Sequence, residues 1–256
     1  MNYSAWSCSL PRTPPLVSLI VLTCNRPRFL RLALTAAAYQ TYPRLEVIVV
    51  DDGPRAVPQS SLDSSGQMAV KLVRLSTRAT IGDKRNAGVH AARGDVLLHW
   101  DDDDLHSPDQ VAALACPIIS RVAEITALTF SYVSKLSRRS ATFYRWDQGR
   151  GGGTSGTFLG SLAFHRSVLE QAGAQPFPDV SLSEDLFFVE RALSACNRML
   201  PISGVPFVYT RHTAASNTWT ANLTGRMVPS KVTSPPAFVS AAMRAAYVAA
   251  EHDAAT

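Results

Sequence analysis

Short, almost continuous apolar runs alternate with stretches of helical periodicity through the first hundred residues. Leu16–Leu22, Leu45–Val50, Val70–Leu75 and Val96–Trp100 have the composition of strands, and Pro27–Ala38 and Ile81–Ala92 carry helical spacing between them. Strands that are apolar on both faces and separated by helices belong to a mostly parallel sheet covered on both sides. The pattern therefore predicts an α/β single domain with a central sheet flanked by helices. The second half is less regular. It predicts a helix over Pro108–Ser120, strands over Ile125–Val133 and Ala141–Trp146, helices over Phe164–Ala172 and Glu184–Cys196, and a strand over Val205–Thr210. The run Gly149–Gly156 excludes regular structure.

Near the end, Pro236–Glu251 predicts an alanine-rich helix. Its Phe238, Val239, Met243, Ala246, Tyr247 and Ala250 form one apolar stripe. Such a stripe docks on its own domain or on a second subunit, which makes a homo-oligomer through this helix one expectation. Its single arginine, Arg244, is too little base for a membrane-surface helix. No apolar run approaches the length of a membrane span, Met1–Pro15 lacks a signal pattern, and no repeat is present.

Composition adds limits. At 46% hydrophobic and 18% charged over 256 residues, the chain can bury a core and has too few charges for a long coiled coil. Its net charge of +5 is carried almost wholly by arginine, with a pI near 9.2. That suits nucleic acid, an anionic membrane surface or phosphorylated small molecules alike. Cys8, Cys24, Cys116 and Cys196 form no CxxC pair and read as reduced thiols. The expectation is a cytoplasmic chain, with a peripheral membrane position as the alternative.

The candidate chemistry lies beyond the carboxyl ends of the strands, where open parallel sheets bind ligands. Carboxylates crowd there twice, at Asp51-Asp52 and at Asp101–Asp104. Crowded carboxylates are costly without a cation. On an extended segment, positions i and i+2 project to the same side, an arrangement that suits one hard cation and a diphosphate; oxygen donors select Mn²⁺ or Mg²⁺. The plain alternative is an acidic loop whose Asp104 starts the next helix, with Pro108 in its first turn.

These residues also carry a resemblance. Leu19-Ile20-Val21-Leu22-Thr23-Cys24-Asn25-Arg26-Pro27, Gln40-Thr41-Tyr42-Pro43, Glu46–Gly53, Lys84-Arg85-Asn86-Ala87-Gly88, Ala92-Arg93-Gly94-Asp95 and Trp100–Asp104 follow one another in the order of a family 2 glycosyltransferase with the GT-A fold. Farther on, Ser183-Glu184-Asp185 and Arg211-His212 with Asn217-Thr218-Trp219 are similar to later segments of that family. The resemblance implies a flexible segment over 1–15 and a GT-A domain over 16–220, with its nucleotide half to about 105 and its acceptor half, a smaller subregion, beyond. A tail with a helix follows over 221–256. It implies inverting hexosyl transfer from a nucleotide sugar, a UDP-sugar, to a carbohydrate, lipid-linked or protein acceptor, without nucleic acid as a partner.

Residue by residue, the resemblance places Thr23, Asn25 and Arg26 around the nucleotide and Asp52 on the uracil imide. Arg85 faces the nucleotide or diphosphate, the rival reading being a surface arginine. Asp101 and Asp102 lie on the donor, and Asp103 with Asp101 and His212 on the metal. Asp102 and Asp104 leave a one-residue slip open. Asp185 is the implied catalytic base, with Ser183 capping a helix that begins Glu184-Asp185 as its rival reading. Glu184, Trp146 and Trp219 fall on the acceptor side, as does the Gly149–Gly156 loop. Other classes fit less well. A dehalogenase-type phosphatase would carry its Asp-x-Asp after the first strand. A nucleotidyltransferase needs a glycine-rich loop where Thr23–Pro27 has none. An inactive sugar-nucleotide-binding module is the non-enzymatic alternative.

Overall fold

The structure is a computed structural model, and it describes residues 11–129, 131–146, 157–195, 197–212, 230–232 and 234–254. Strands β1 (Val17–Thr23), β2 (Leu45–Asp51), β3 (Ala69–Arg74) and β4 (Val96–His99) lie parallel in the order β3-β2-β1-β4. The sheet extends past β4 through β9 (Phe158–His165), β6 (Ile125–Leu128) and β10 (Met199–Ile202), with β9 antiparallel to both neighbours. A smaller five-stranded sheet contains β5 (Leu105–His106), β7 (Ser131–Leu136), β8 (Ala141–Trp146), β11 (Phe207–His212) and β12 (Ser230–Lys231). The expected α/β domain with a mostly parallel central sheet and a smaller subregion is what forms.

Two cores sandwich the large sheet. Helices α1 (Pro27–Ala38) and α4 (Gln110–Ile119) cover one face; α2 (Gln59–Leu62) lies beside α1. Helices α3 (Ile81–Ala91), α5 (Ser167–Ala172) and α6 (Glu184–Ser194) cover the other face. Connections leave β1 toward one face and β3 toward the other, so the carboxyl ends of β1 and β4 flank a switch point open to a ligand. Helix α7 (Ala241–Ala254) packs in a third cluster with Phe29 of α1, Phe143 and Val208, burying Val239, Tyr247 and Ala250. The stripe expected on this helix thus docks on its own domain. The helix starts at Ala241, where the Ser240 hydroxyl accepts from the Met243 amide at 3.1 Å, five residues later than Pro236.

Three other expectations are corrected. Phe164–Ala172 is not one helix, because β9 runs on to His165 and α5 begins only at Ser167. Within that strand the Ser161 hydroxyl accepts from the Leu128 amide at 2.9 Å, beside a register shift in β6. Ile125–Val133 is two strands in different sheets, β6 ending where Thr129 donates its amide to Ile202 O at 2.8 Å. Just before β1, Tyr42 Oη donates to Pro15 O at 2.6 Å and Arg44 to Pro14 O at 3.1 Å. Cys116 is disulfide-bonded while Cys24 is free, so the thiols are not all reduced as expected. Sequence spacing does not report which cysteines the fold brings together. Among the described residues, no helix is long and apolar enough to cross a membrane.

Candidate active site

Asp51 and Asp52 end β2 and have different partners. Asp51 accepts from the Gly53 amide at 2.8 Å and pairs with Arg74, closing the strand end. Buried Asp52 receives the Ala79 amide at 3.1 Å, Lys84 Nζ at 3.1 Å and Arg78 at 3.2 Å. Burial works to raise its proton affinity, but the Ala79 amide, Lys84 and Arg78 together hold the carboxyl below the usual range. Asp52 is therefore an ionised acceptor at neutral pH. Beside it Asn25 adopts φ 52°, and a side chain at Gly53 would lie 2.8 Å from the Asn25 amide nitrogen. The glycine lets the two strand-end backbones approach each other.

Asp101–Asp104 form a turn, not the expected extended segment, so neighbours rather than alternate residues share a partner. Arg26 forks across Asp102 and Asp103, at 2.6 Å to each. Thr23 Oγ1 donates to the other Asp102 oxygen at 2.7 Å, bringing the end of β1 onto the turn. Asp101 points elsewhere, toward Arg85 at 3.9 Å. Asp104 does not start a helix: it is fully buried, accepts the Thr210 amide at 2.7 Å and precedes β5, and α4 begins only at Gln110. Burial raises Asp101 to about 7, opposed by Arg85 and assisted by Asp103 and Asp102; it raises Asp102 to about 6 against Arg26. Asp103 moves the other way. Burial would raise it, yet Arg26 and His212 hold it far below the usual range.

Arg85 is buried and not the surface arginine of the rival reading. Its Nε donates to Glu184 Oε1 at 3.0 Å, linking α3 to the start of α6. The link is reinforced nearby: Gly82 donates its amide to Val180 O at 2.9 Å, and Asn86 and Phe177 exchange hydrogen bonds at 2.8 and 3.0 Å. A Cβ at Gly82 would lie 1.8 Å from Pro178 O, so only glycine permits this approach. Ser183 makes no side-chain cap and sits at φ 64°, while Glu184 and Asp185 do lie in the first turn of α6, where the helix dipole favours acids. Asp185 accepts the Leu186 amide at 2.7 Å, and burial and neighbouring Glu184 push its carboxyl up against the pull of Arg85.

His212 stands between two carboxylates, with Nε2 2.8 Å from Asp103 Oδ2 and Nδ1 2.5 Å from Glu251 Oε2. With both nitrogens facing carboxylates, both must donate, so the ring is an imidazolium here. Burial opposes that charge, but Asp103 and Glu251 raise the pKa. Such a histidine stabilises the fold fully below its unfolded pKa of about 6.5, and the contribution is lost as pH rises through the raised folded value. We expect Glu251→Gln to flatten the fall in unfolding free energy between about pH 6 and pH 8 and to cost about 1–3 kcal/mol at the acid end. Denaturant titrations at the two pH values check this; an unchanged slope would show that Glu251 does not hold the ring.

The pattern described as "Glycosyl transferase family 2" matches residues 18–165, from β1 through β9. The chain belongs to glycosyl transferase family 2. Among curated family proteins it is 30% identical over 117 residues to glycosyltransferase GlyA of Streptococcus pneumoniae serotype 4, covering 43% of this chain and 16% of that one. It is 31% identical over 100 residues to the uncharacterized glycosyltransferase YwdF of Bacillus subtilis (strain 168), covering 39% and 37%. The chain thus spans about a sixth of the length of one of these relatives and little more than a third of the other. Among solved structures, S. aureus TarS 1-349 in complex with UDP-GlcNAc superposes with a TM-score of 0.58 at 20% identity, over 76% of this chain and 58% of that 1-349 chain. Mannosyltransferase PcManGT from Pyrobaculum calidifontis, in complex with GDP-Man and Mn²⁺, gives 0.59 at 19%, over 80% and 61%. These likenesses establish the GT-A fold.

Within this family 2 chain, the structure gathers Thr23, Arg26, Asp102, Asp103 and His212 into one cluster, and Arg85, Asp101, Glu184 and Asp185 into an adjoining one. Trp219 and the Gly149–Gly156 loop lie outside the described residues, as does the side chain of Trp146. Sequence reasoning missed Lys84 and Arg78 on Asp52, and Glu251 and Tyr247 in the tail; Tyr247 Oη donates to Asp104 O at 2.6 Å. The available signal for Glu251 was an acid four residues after Tyr247, on the apolar stripe. Among the described residues, no three metal-binding side chains gather as a ready-made site, because Arg26 and His212 cover Asp103 directly. The donor chemistry nevertheless fits a hard divalent cation: neighbouring carboxylates with raised proton affinity, Asp102 buried and Asp101 partly exposed, are what such a cation relieves.

Proposed function

We propose that this chain transfers a hexosyl group from a UDP-sugar to an acceptor hydroxyl by a single inverting displacement assisted by Mn²⁺ or Mg²⁺. The observation that carries the reading is the convergence, at one sheet edge, of ionised Asp52, the Asp101–Asp104 turn and Asp185, the last linked to the turn through Glu184 and Arg85. Asp52 accepts the imide N–H of the base, and the backbone of Thr23–Asn25 lies beside it. Asp103, with Asp101 or Asp102, would hold the cation, and His212 would join them only by giving up its Nε2 proton; the cation's charge would stabilise the departing diphosphate. Asp185 takes the proton as the acceptor oxygen bonds to the anomeric carbon and the bond to the diphosphate breaks. Its raised proton affinity suits a base working near neutrality.

The neighbours' complexes with UDP-GlcNAc and with GDP-Man and Mn²⁺ support a nucleotide-sugar donor. They differ in the base, which makes guanine the second reading. The acceptor is a carbohydrate, lipid-linked or protein hydroxyl. The deciding experiment measures nucleoside diphosphate release from UDP-sugars and GDP-sugars. EDTA should abolish release and Mn²⁺ restore it. Full activity in EDTA would remove the metal from the scheme, and a preference for GDP-sugars would remove uracil. No release or donor hydrolysis with any donor would leave a binding module.

A further inference from the structure

On the side of α7 facing away from the carboxylates, a cavity of about 700 Å³ opens between α1, the β7–β8 turn and α7. Arg28, Arg138, Arg139, Arg244 and His252 line it. We propose that this cavity is a binding site for a phosphate ester, separate from the proposed donor site and independent of that reading.

Three elements bring Arg28, Arg138, Arg139 and Arg244 to one cavity, so an anion there would be met by guanidinium groups from more than one side. Each presents a planar fork that matches two phosphate oxygens. The frame is set before any ligand arrives. Ser137 and Ser140 close the turn that carries Arg138 and Arg139: the Ser140 amide donates to Ser137 Oγ at 3.0 Å and the Ser137 amide to Ser140 O at 2.8 Å. Arg244, Val248 and His252 follow one another at four-residue spacing, on one stripe of α7. Tyr247 and Glu251, on the adjoining stripe, face Asp104 and His212. Arg28 stands in the first turn of α1, whose amides have no side-chain cap and whose dipole favours an anion.

Size and floor narrow the ligand. The volume exceeds that of a bare phosphate, and Ala141, Ala245, Val248 and Ala249 give the floor an apolar surface. A phosphate on the arginines with an organic body against these residues fits both features. Arg28 and Arg138 also engage other groups of the chain, so Arg139 and Arg244, both exposed, are the residues to change.

The test is a calorimetric titration of phenyl phosphate into the full chain in EDTA at low salt, using no nucleotide sugar and no divalent ion. We expect saturable binding that weakens about tenfold or more in Arg139→Gln/Arg244→Gln, the loss of charge-assisted bonds. Arg139→Lys/Arg244→Lys should retain part of the affinity, and Asp103→Asn all of it. Flotation with vesicles of phosphatidylcholine containing phosphatidic acid, against phosphatidylcholine alone, distinguishes the source. Arginine-dependent flotation assigns the phosphate to a lipid headgroup, and phenyl phosphate binding without flotation assigns it to a soluble ester. Absence of both, or binding that the glutamine variant leaves unchanged, overturns the proposal.

Discussion

Asp185→Asn should lower turnover by about 10²–10⁴-fold while leaving UDP affinity within a few-fold of wild type. The substitution keeps the shape and the bond from the Leu186 amide and removes only the capacity to take a proton. Glu184, which holds Arg85, stays in place. The pH profile supplies a second reading. A base works as its ionised fraction grows, so the rate should rise with pH through the folded pKa of Asp185. Burial and Glu184 place that limb above the ordinary aspartate value of about 3.9. If Asp185→Asn turns over like wild type, Glu184 is the next acid to test.

Asp103→Asn should act on binding first. One Asp103 oxygen receives both Arg26 and His212, so loss of its charge removes the shared anion of both. Affinity for UDP in the presence of Mn²⁺ should fall by about tenfold to a hundredfold, the scale of a charge-assisted contact, and the gain from adding Mn²⁺ should shrink. Asparagine is preferred to alanine because truncating one member of a buried charge network costs about 3–5 kcal/mol and would confuse unfolding with lost binding. Equal Mn²⁺ enhancement in variant and wild type would take the cation away from Asp103.

How much of this was legible varies along the chain in a physically understandable way. The strands β1, β2 and β4 are apolar on both faces and can be little else, and their carboxyl ends mark the site without any structure. The β9 strand was hidden because Gly160-Ser161 breaks its apolar run, and Ser161 contributes through a hydrogen bond that a hydropathy pattern does not register. At Asp101–Asp104 the residue types were readable but the pairing was not. The i, i+2 rule assumes an extended backbone, and a turn puts Asp102 and Asp103 on the same guanidinium. Contacts such as Arg85 with Glu184 or His212 with Glu251 depend on how distant elements pack, which periodicity does not encode. The docking of the tail was legible in its apolar stripe, but its polar partners were not, although an acid on that buried stripe was already a sign of one.

The position of that acid has a consequence for biosynthesis. Tyr247 follows Asp104 by 143 residues. At about 5–20 residues per second, the carboxylate turn therefore leaves the ribosome roughly 7–30 s before the helix that completes its surroundings. During that interval the sheet can form, but His212 lacks Glu251 and the Asp104 carbonyl lacks its phenol. The surroundings of the carboxylate turn are thus completed only once α7 has been translated, well after the turn itself. A polypeptide stalled or clipped before α7 would be a folded-looking sheet with an unfinished centre.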